Sequence, residues 1–235
     1  MRYLAILTIL VSSIAWAQEP TFMEAATHPG SEALYQRLLW TSPTLKDGST
    51  REQLWELKSS YGFSPVFAAK LDLENDGDGW RYGSLRVMQR VIQRDTGPID
   101  TWRASVHGGI EWVDGRDPGP HIGFVSTTIR GRHGFNGQLE WHGGERSTER
   151  FEANASHLYR IAPAQYRPET RGAWYTMLES LNTFAGDGTH AGDVAVGLLY
   201  EARRWAAEVS VLAQEPNEQI GRRSTRIGIG YRYLW

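Results

Sequence analysis

The segment Ile227-Gly228-Ile229-Gly230-Tyr231-Arg232-Tyr233-Leu234-Trp235 decides the fold, because its two faces differ in kind. The odd positions, Ile227, Ile229, Tyr231, Tyr233 and Trp235, are all apolar or aromatic, whereas the even ones are Gly228, Gly230, Arg232 and Leu234. Successive side chains of a strand point to opposite faces, so a period of two over this stretch predicts a strand. Its nine residues match the length that a tilted strand needs to cross a bilayer.

The same pattern recurs upstream, between clusters of turn-forming residues. Trp205, Ala207, Val209 and Val211 alternate with Ala206, Glu208, Ser210 and Leu212. Val194, Val196, Leu198 and Tyr200 alternate with Asp193, Ala195, Gly197 and Leu199. Phe135, Leu139 and Trp141 oppose Asn136, Gln138, Glu140 and His142, and Trp102, Ala104, Val106, Ile110 and Trp112 oppose Thr101, Arg103, Ser105, His107 and Glu111. Leu85, Val87 and Val91 oppose Arg86, Met88 and Arg90, while Phe67, Ala69, Leu71 and Leu73 oppose Lys70 and Asp72. Stretches 121–130, 150–160 and 170–182 read as strands whose facing is ambiguous. Stretches 32–41 and 51–61 also admit helix, through the capping-box spacing of Thr50 and Gln53 and the pair Leu34 and Leu38. The tight turn at Tyr61-Gly62-Phe63-Ser64 favours strands there too.

Composition narrows the class. With 235 residues, 22% charged and a mean hydropathy of −0.46, the chain has no apolar run long enough for a spanning helix. A membrane barrel survives this test, because lipid-facing and lumen-facing residues cancel along each strand. A formal charge of −2 and a pI near 6.4 give no electrostatic case for nucleic acid as a partner. Arg2, the apolar run Leu4 to Ile14 and Ala15-Trp16-Ala17 predict a cleaved export signal over residues 1–17. Residues 18–30 are then expected to form a periplasmic N-terminal tail or a small plug, and residues 31–235 a barrel. The absence of cysteine excludes a disulfide framework.

A C-terminal strand with alternate apolar residues and a terminal aromatic resembles the assembly signal of bacterial outer-membrane β-barrel proteins, carried here by Tyr231, Tyr233 and Trp235. That resemblance implies an all-β fold, a transmembrane antiparallel up-and-down β-barrel, in the bacterial outer membrane. It also implies contact with outer-membrane lipids and lipopolysaccharide, and handling by the barrel-assembly machinery. The expected count is about twelve strands, an even number that leaves both termini on the periplasmic side. The last strand must then pair with the first, since every backbone amide in hydrocarbon needs a partner. Tryptophan offers independent support: Trp40, Trp80, Trp112 and Trp141 fall at expected outer strand ends, Trp102, Trp205 and Trp235 at inner ends, and Trp55 and Trp174 fit less well. A soluble sandwich with its aromatics in a core is the rival fold.

A lumen of this size is too wide for apolar packing alone, so charged side chains are expected to fill most of it. The candidates are Arg86, Arg90, Arg103, His107, Glu140, Glu152 and Glu208, with Glu56, Lys58, Lys70, Asp72, Arg226 and Arg232 on the same face. They form either a structural ion network or a selective pore, in which Arg86, Arg90 and Arg103 make a basic ladder for an anionic solute. Catalysis finds thin support. Ser105 and His107 share a face, yet that face is the lumen, and Ser156 and His157 are adjacent and so face opposite ways. Asp72, Glu74, Asp76 and Gly77 imitate a calcium loop but meet Gly83 where a bidentate Glu is required. The seven His show no paired metal spacing, so neither a zinc site nor a cofactor is expected from sequence. The functional expectation is a narrow channel or passive transporter for small polar solutes, or a structural envelope protein. The rivals are an outer-membrane lipid or lipopolysaccharide hydrolase and a soluble periplasmic β-sandwich binding protein.

Overall fold

The computed structural model describes residues 32–44, 53–97, 100–144, 149–165, 170–202, 204–213 and 223–234, without the side chains of 43, 44 and 223–234. The expected signal segment, the tail and Trp235 lie outside the described residues, as do the side chains of Tyr231 and Tyr233. Among the described residues there are twelve strands. They are β1 (Ala33–Thr44), β2 (Leu54–Gly62), β3 (Phe67–Asn75), β4 (Trp80–Asp95), β5 (Thr101–Val113), β6 (Gly119–Arg130), β7 (His133–His142), β8 (Arg150–Ala162), β9 (Gly172–Ala185), β10 (His190–Ala202), β11 (Trp205–Ala213) and β12 (Arg223–Leu234). Each pairs antiparallel with its sequence neighbours, and β1 closes on β12 in an unbroken register from Ala33↔Leu234 to Thr44↔Arg223. The segment with a helical alternative is therefore the seam. Closure overrides its local propensity, because a free edge would leave a row of amides unpaired.

Alternation sorts the side chains as a spanning barrel requires. On β4, Leu85 and Val87 are 49% and 43% exposed on the outside, whereas Arg86 between them is 3% exposed on the inside. The outer surface is girdled at both ends. Trp102, Trp174 and Trp205 lie at the end that carries the termini, with Trp174 and Trp205 each packed on Tyr200. Trp55, Trp80, Trp141, Phe151 and Phe184 lie at the opposite end. Register settles the two awkward tryptophans: Trp55 sits directly across from Trp40, and Trp174 from Tyr200. Amphipathic rings favour the headgroup level, which accounts for two belts separated by an aliphatic band.

The interior is less uniformly charged than expected. Leu158, Ala173, Tyr175, Met177 and Leu199 form a buried apolar pad inside β8–β10, towards the terminal end, and Met88 packs on Val125 in a second buried cluster. Apolar packing thus fills part of the lumen that charge was expected to fill. Strand β9 also runs on to Ala185, past the end of the expected 170–182 stretch, and β10 starts at His190.

Candidate functional site

Polar chemistry concentrates inside the half of the barrel far from the termini. On β5, β6 and β7 the register aligns two inward rows. His107 lies across from Gly123, which lies across from Glu140, which lies across from Glu152 on β8. Two residues further along the same face, Gly109, His121, His142 and Arg150 are aligned in the same way. Glycine at position 123 is what lets the first row close up. A Cβ there would fall 2.2 Å from His107 Nε2 and 3.0 Å from Glu140 Cγ, so the His and Glu side chains reach one another over a gap only glycine leaves.

Three histidines and three glutamates meet as a result. Glu140 Oε1 is 3.0 Å from His107 Nε2 and 3.3 Å from His121 Nε2, and its Oε2 is 3.7 Å from His142 Nε2. His142 Nδ1 donates to Glu111 Oε2 at 2.7 Å, which turns its Nε2 towards Glu152 Oε1 at 3.4 Å. The His121 and His142 rings stack with centroids 4.2 Å apart, and His107 meets His121 edge-on. Arg150 bonds both Glu111 and Glu152, and Arg86 bonds Asp72 with Glu140 Oε1 3.6 Å away. His107, His121, His142, Glu111 and Glu140 are all buried.

The remaining expected pore residues are spread along the lumen. Arg37 clamps Glu208 with two hydrogen bonds, its Nε donating at 2.8 Å. Arg90 donates to Gln93 at 2.5 Å, and Arg103 lies 4.0 Å from Asp95, both near the terminal end. The basic ladder is therefore not continuous: Arg86 is neutralised by Asp72, and the other two guanidiniums belong to a separate cluster. Counter-charge, invisible in a single strand, is the reason.

Above the histidines, a cavity of about 360 Å³ is lined by six carboxylates (Glu56, Asp72, Glu74, Glu140, Glu152 and Asp193) against three cations (Lys58, Arg86 and Arg150). A second space of about 760 Å³ is lined by residues 115–119 on one side and Gly143 and Gly144 on the other, together with Glu111, Val113 and Arg150. Among the described residues, the first cavity forms an acidic vestibule at the end of the barrel opposite Ala33 and Leu234.

Neither hydrolase pairing forms. Ser105 Oγ has no hydrogen-bond partner among the described residues, and both it and His107 are shielded from the lipid face. Ser156 points inward to Asn136, while His157 lies outside, 3.0 Å from His133 and stacked on Phe135. The calcium-loop imitation is a hairpin: Asp76 accepts from the amides of Asp78 and Gly79, and Asp72 is committed to Arg86. Sequence reasoning named His107, Glu140 and Glu152 but not Glu111, His121 and His142 as site residues. Glu111 and His142 were already visible on polar faces; His121 needed the facing of β6, which its own residues left open.

No protein-family model matches the sequence, and no curated protein matches it. Among solved structures the fold is similar to that of the KdgM porin in complex with disordered oligogalacturonate, with a TM-score of 0.56, 8% identity, and 84% of this chain covering 99% of that one. It is also similar to the NanC porin, with a TM-score of 0.54, 12% identity, and 86% of this chain covering 100% of that one. At such identities the shared property is the fold alone. The chain is an all-β, antiparallel, up-and-down barrel with the fold of bacterial outer-membrane β-barrel proteins.

Proposed function

We propose that the protein resides in the bacterial outer membrane, with its termini in the periplasm, as a channel of low conductance for small polar solutes. The observation that carries this reading is the acidic vestibule, whose six carboxylates outnumber its three cations. Rings of carboxylate favour cations over anions, so the preferred solutes are cationic or neutral. The narrow section follows from the fold: Arg37 with Glu208, Arg86 with Asp72, and the apolar pad all draw side chains into the lumen. This reverses the anion preference that an unopposed basic ladder would give. The test is current through planar bilayers holding the purified protein, under a salt gradient. Small steps with a cation-selective reversal potential are expected, and selectivity falls in Glu152→Gln. Anion selectivity, or no current at all, would contradict the reading.

One observation favours a second reading, a mainly structural envelope barrel. Arg86, Arg103 and Glu140 are each nine-tenths or more buried, which describes packed side chains rather than a solvated wall. The bilayer measurement separates the two, since the structural barrel passes no current.

A further inference from the structure

We propose that the floor of the vestibule is a binding site for one divalent transition-metal ion of the zinc class, held by His107 Nε2, His121 Nε2 and Glu140 Oε1. The site does not depend on solute passage. Geometry points to it first. Zinc bonds to nitrogen and oxygen are about 2.0–2.2 Å, so donors around a tetrahedral ion stand about 3.3 Å apart. Here the two nitrogens stand 3.0 and 3.3 Å from the one oxygen. At such spacing a protonated imidazole would form an ion pair with Glu140, but two rings compete for that single oxygen. Neither ring nitrogen of His107 or His121, nor Glu140 Oε1, has a hydrogen-bond partner among the described residues, although all three residues are more than nine-tenths buried. Buried polar atoms left in that condition are costly, and a cation shared by the two Nε2 atoms and Glu140 Oε1 would satisfy those three of the five together.

Charge points the same way. Asp72, Glu111, Glu140 and Glu152 face Arg86 and Arg150 around the histidines, which leaves two formal negative charges when the rings are neutral. A divalent ion balances them. The donor set of two imidazoles and one carboxylate suits zinc and its neighbours rather than calcium or magnesium, which prefer all-oxygen shells. His121 and Glu140 also line the vestibule cavity, which places space for a water ligand beside the donor set. Gly123 completes the cradle, because any side chain there would occupy the space in which the ligands converge.

The test uses the untagged full chain, extracted in detergent, stripped with a chelator and titrated with zinc by calorimetry. Cobalt is added in parallel to read the d–d absorption of a four-coordinate site. One equivalent of zinc is expected, with affinity at least about 100-fold weaker in His107→Ala, His121→Ala and Glu140→Gln, since even outer-shell changes cost 10–100-fold. Ser105→Ala, on the same face, and His157→Ala, in the exterior histidine pair, keep the affinity. Heat-modifiable gel mobility verifies that each variant is folded. X-ray absorption of the zinc-loaded wild type supplies a measurement free of mutation, with imidazole scattering expected. The proposal is overturned by the absence of saturable zinc uptake, by an all-oxygen shell, by unchanged affinity in the ligand variants, or by loss of binding in His157→Ala.

Discussion

Gly123→Ala tests the packing of the lumen at the point where it is tightest. The new methyl carbon would stand 2.2 Å from His107 Nε2, 2.5 Å from its Cε1 and 3.0 Å from Glu140 Cγ. Carbon contacts settle near 3.5–4.0 Å, so the imidazole must retreat by about 1 Å or more. It has little room, because its side chain is fully enclosed. Overpacking of this kind costs about 1–3 kcal/mol, against a gain of about 0.4–1 kcal/mol from the stiffer unfolded chain. A net loss of about 1–2 kcal/mol is expected. Gly137→Ala is the matched control, since nothing lies within 4 Å of its Cβ position, and it should be neutral or slightly stabilising. Equilibrium unfolding in urea from lipid vesicles measures both, with the midpoint shifting at constant slope. Equal midpoints for the two alanine variants would refute the close approach of His107 and Glu140.

Two further outcomes follow from burial. Arg37→Ala removes the two charge-assisted hydrogen bonds that Arg37 gives the buried Glu208 carboxylate and should cost up to about 3–5 kcal/mol, most of it recovered when Arg37→Met is combined with Glu208→Leu; the same urea titration reads both. Val87→Arg places a charge on the lipid face of β4 and should cost about 2–4 kcal/mol if that position lies near the bilayer midplane, read as folding yield and unfolding midpoint in vesicles.

How far the sequence reveals the fold depends on what each strand faces inside. Strands β4, β5, β7 and β11 alternate legibly, because their inner faces carry mainly charged, hydroxyl or amide groups where their outer faces carry Leu, Val, Ile or Trp. Two of the three strands that line the apolar pad, β8 and β9, are among those with ambiguous facing. On β9, Ala173, Tyr175 and Met177 point inward while Trp174 and Leu178 point outward, so both faces are apolar. On β6, Val125 and Ile129 are buried and Ser126 and Thr128 lie on the outer face, which inverts the usual polarity. The histidine cluster was hidden for a different reason. His107, His121 and His142 are spaced fourteen and twenty-one residues apart, with no motif, and only the hairpin registers of β5–β6 and β6–β7 bring them to one patch. Register is set by turns and pairing partners, which alternation within a single strand does not encode.

The central claim is that β1 and β12 close the cylinder in the register Leu38↔Ile229. The chain has no cysteine of its own, so Leu38→Cys with Ile229→Cys can be joined by a short bifunctional thiol reagent in the membrane-inserted protein. The closed barrel predicts efficient cross-linking of that pair, and little for Leu38→Cys with Gly228→Cys, since a shift of one residue turns the side chain to the opposite face. Failure of the first pair, or equal reaction of both, would mean that the seam is open or in another register.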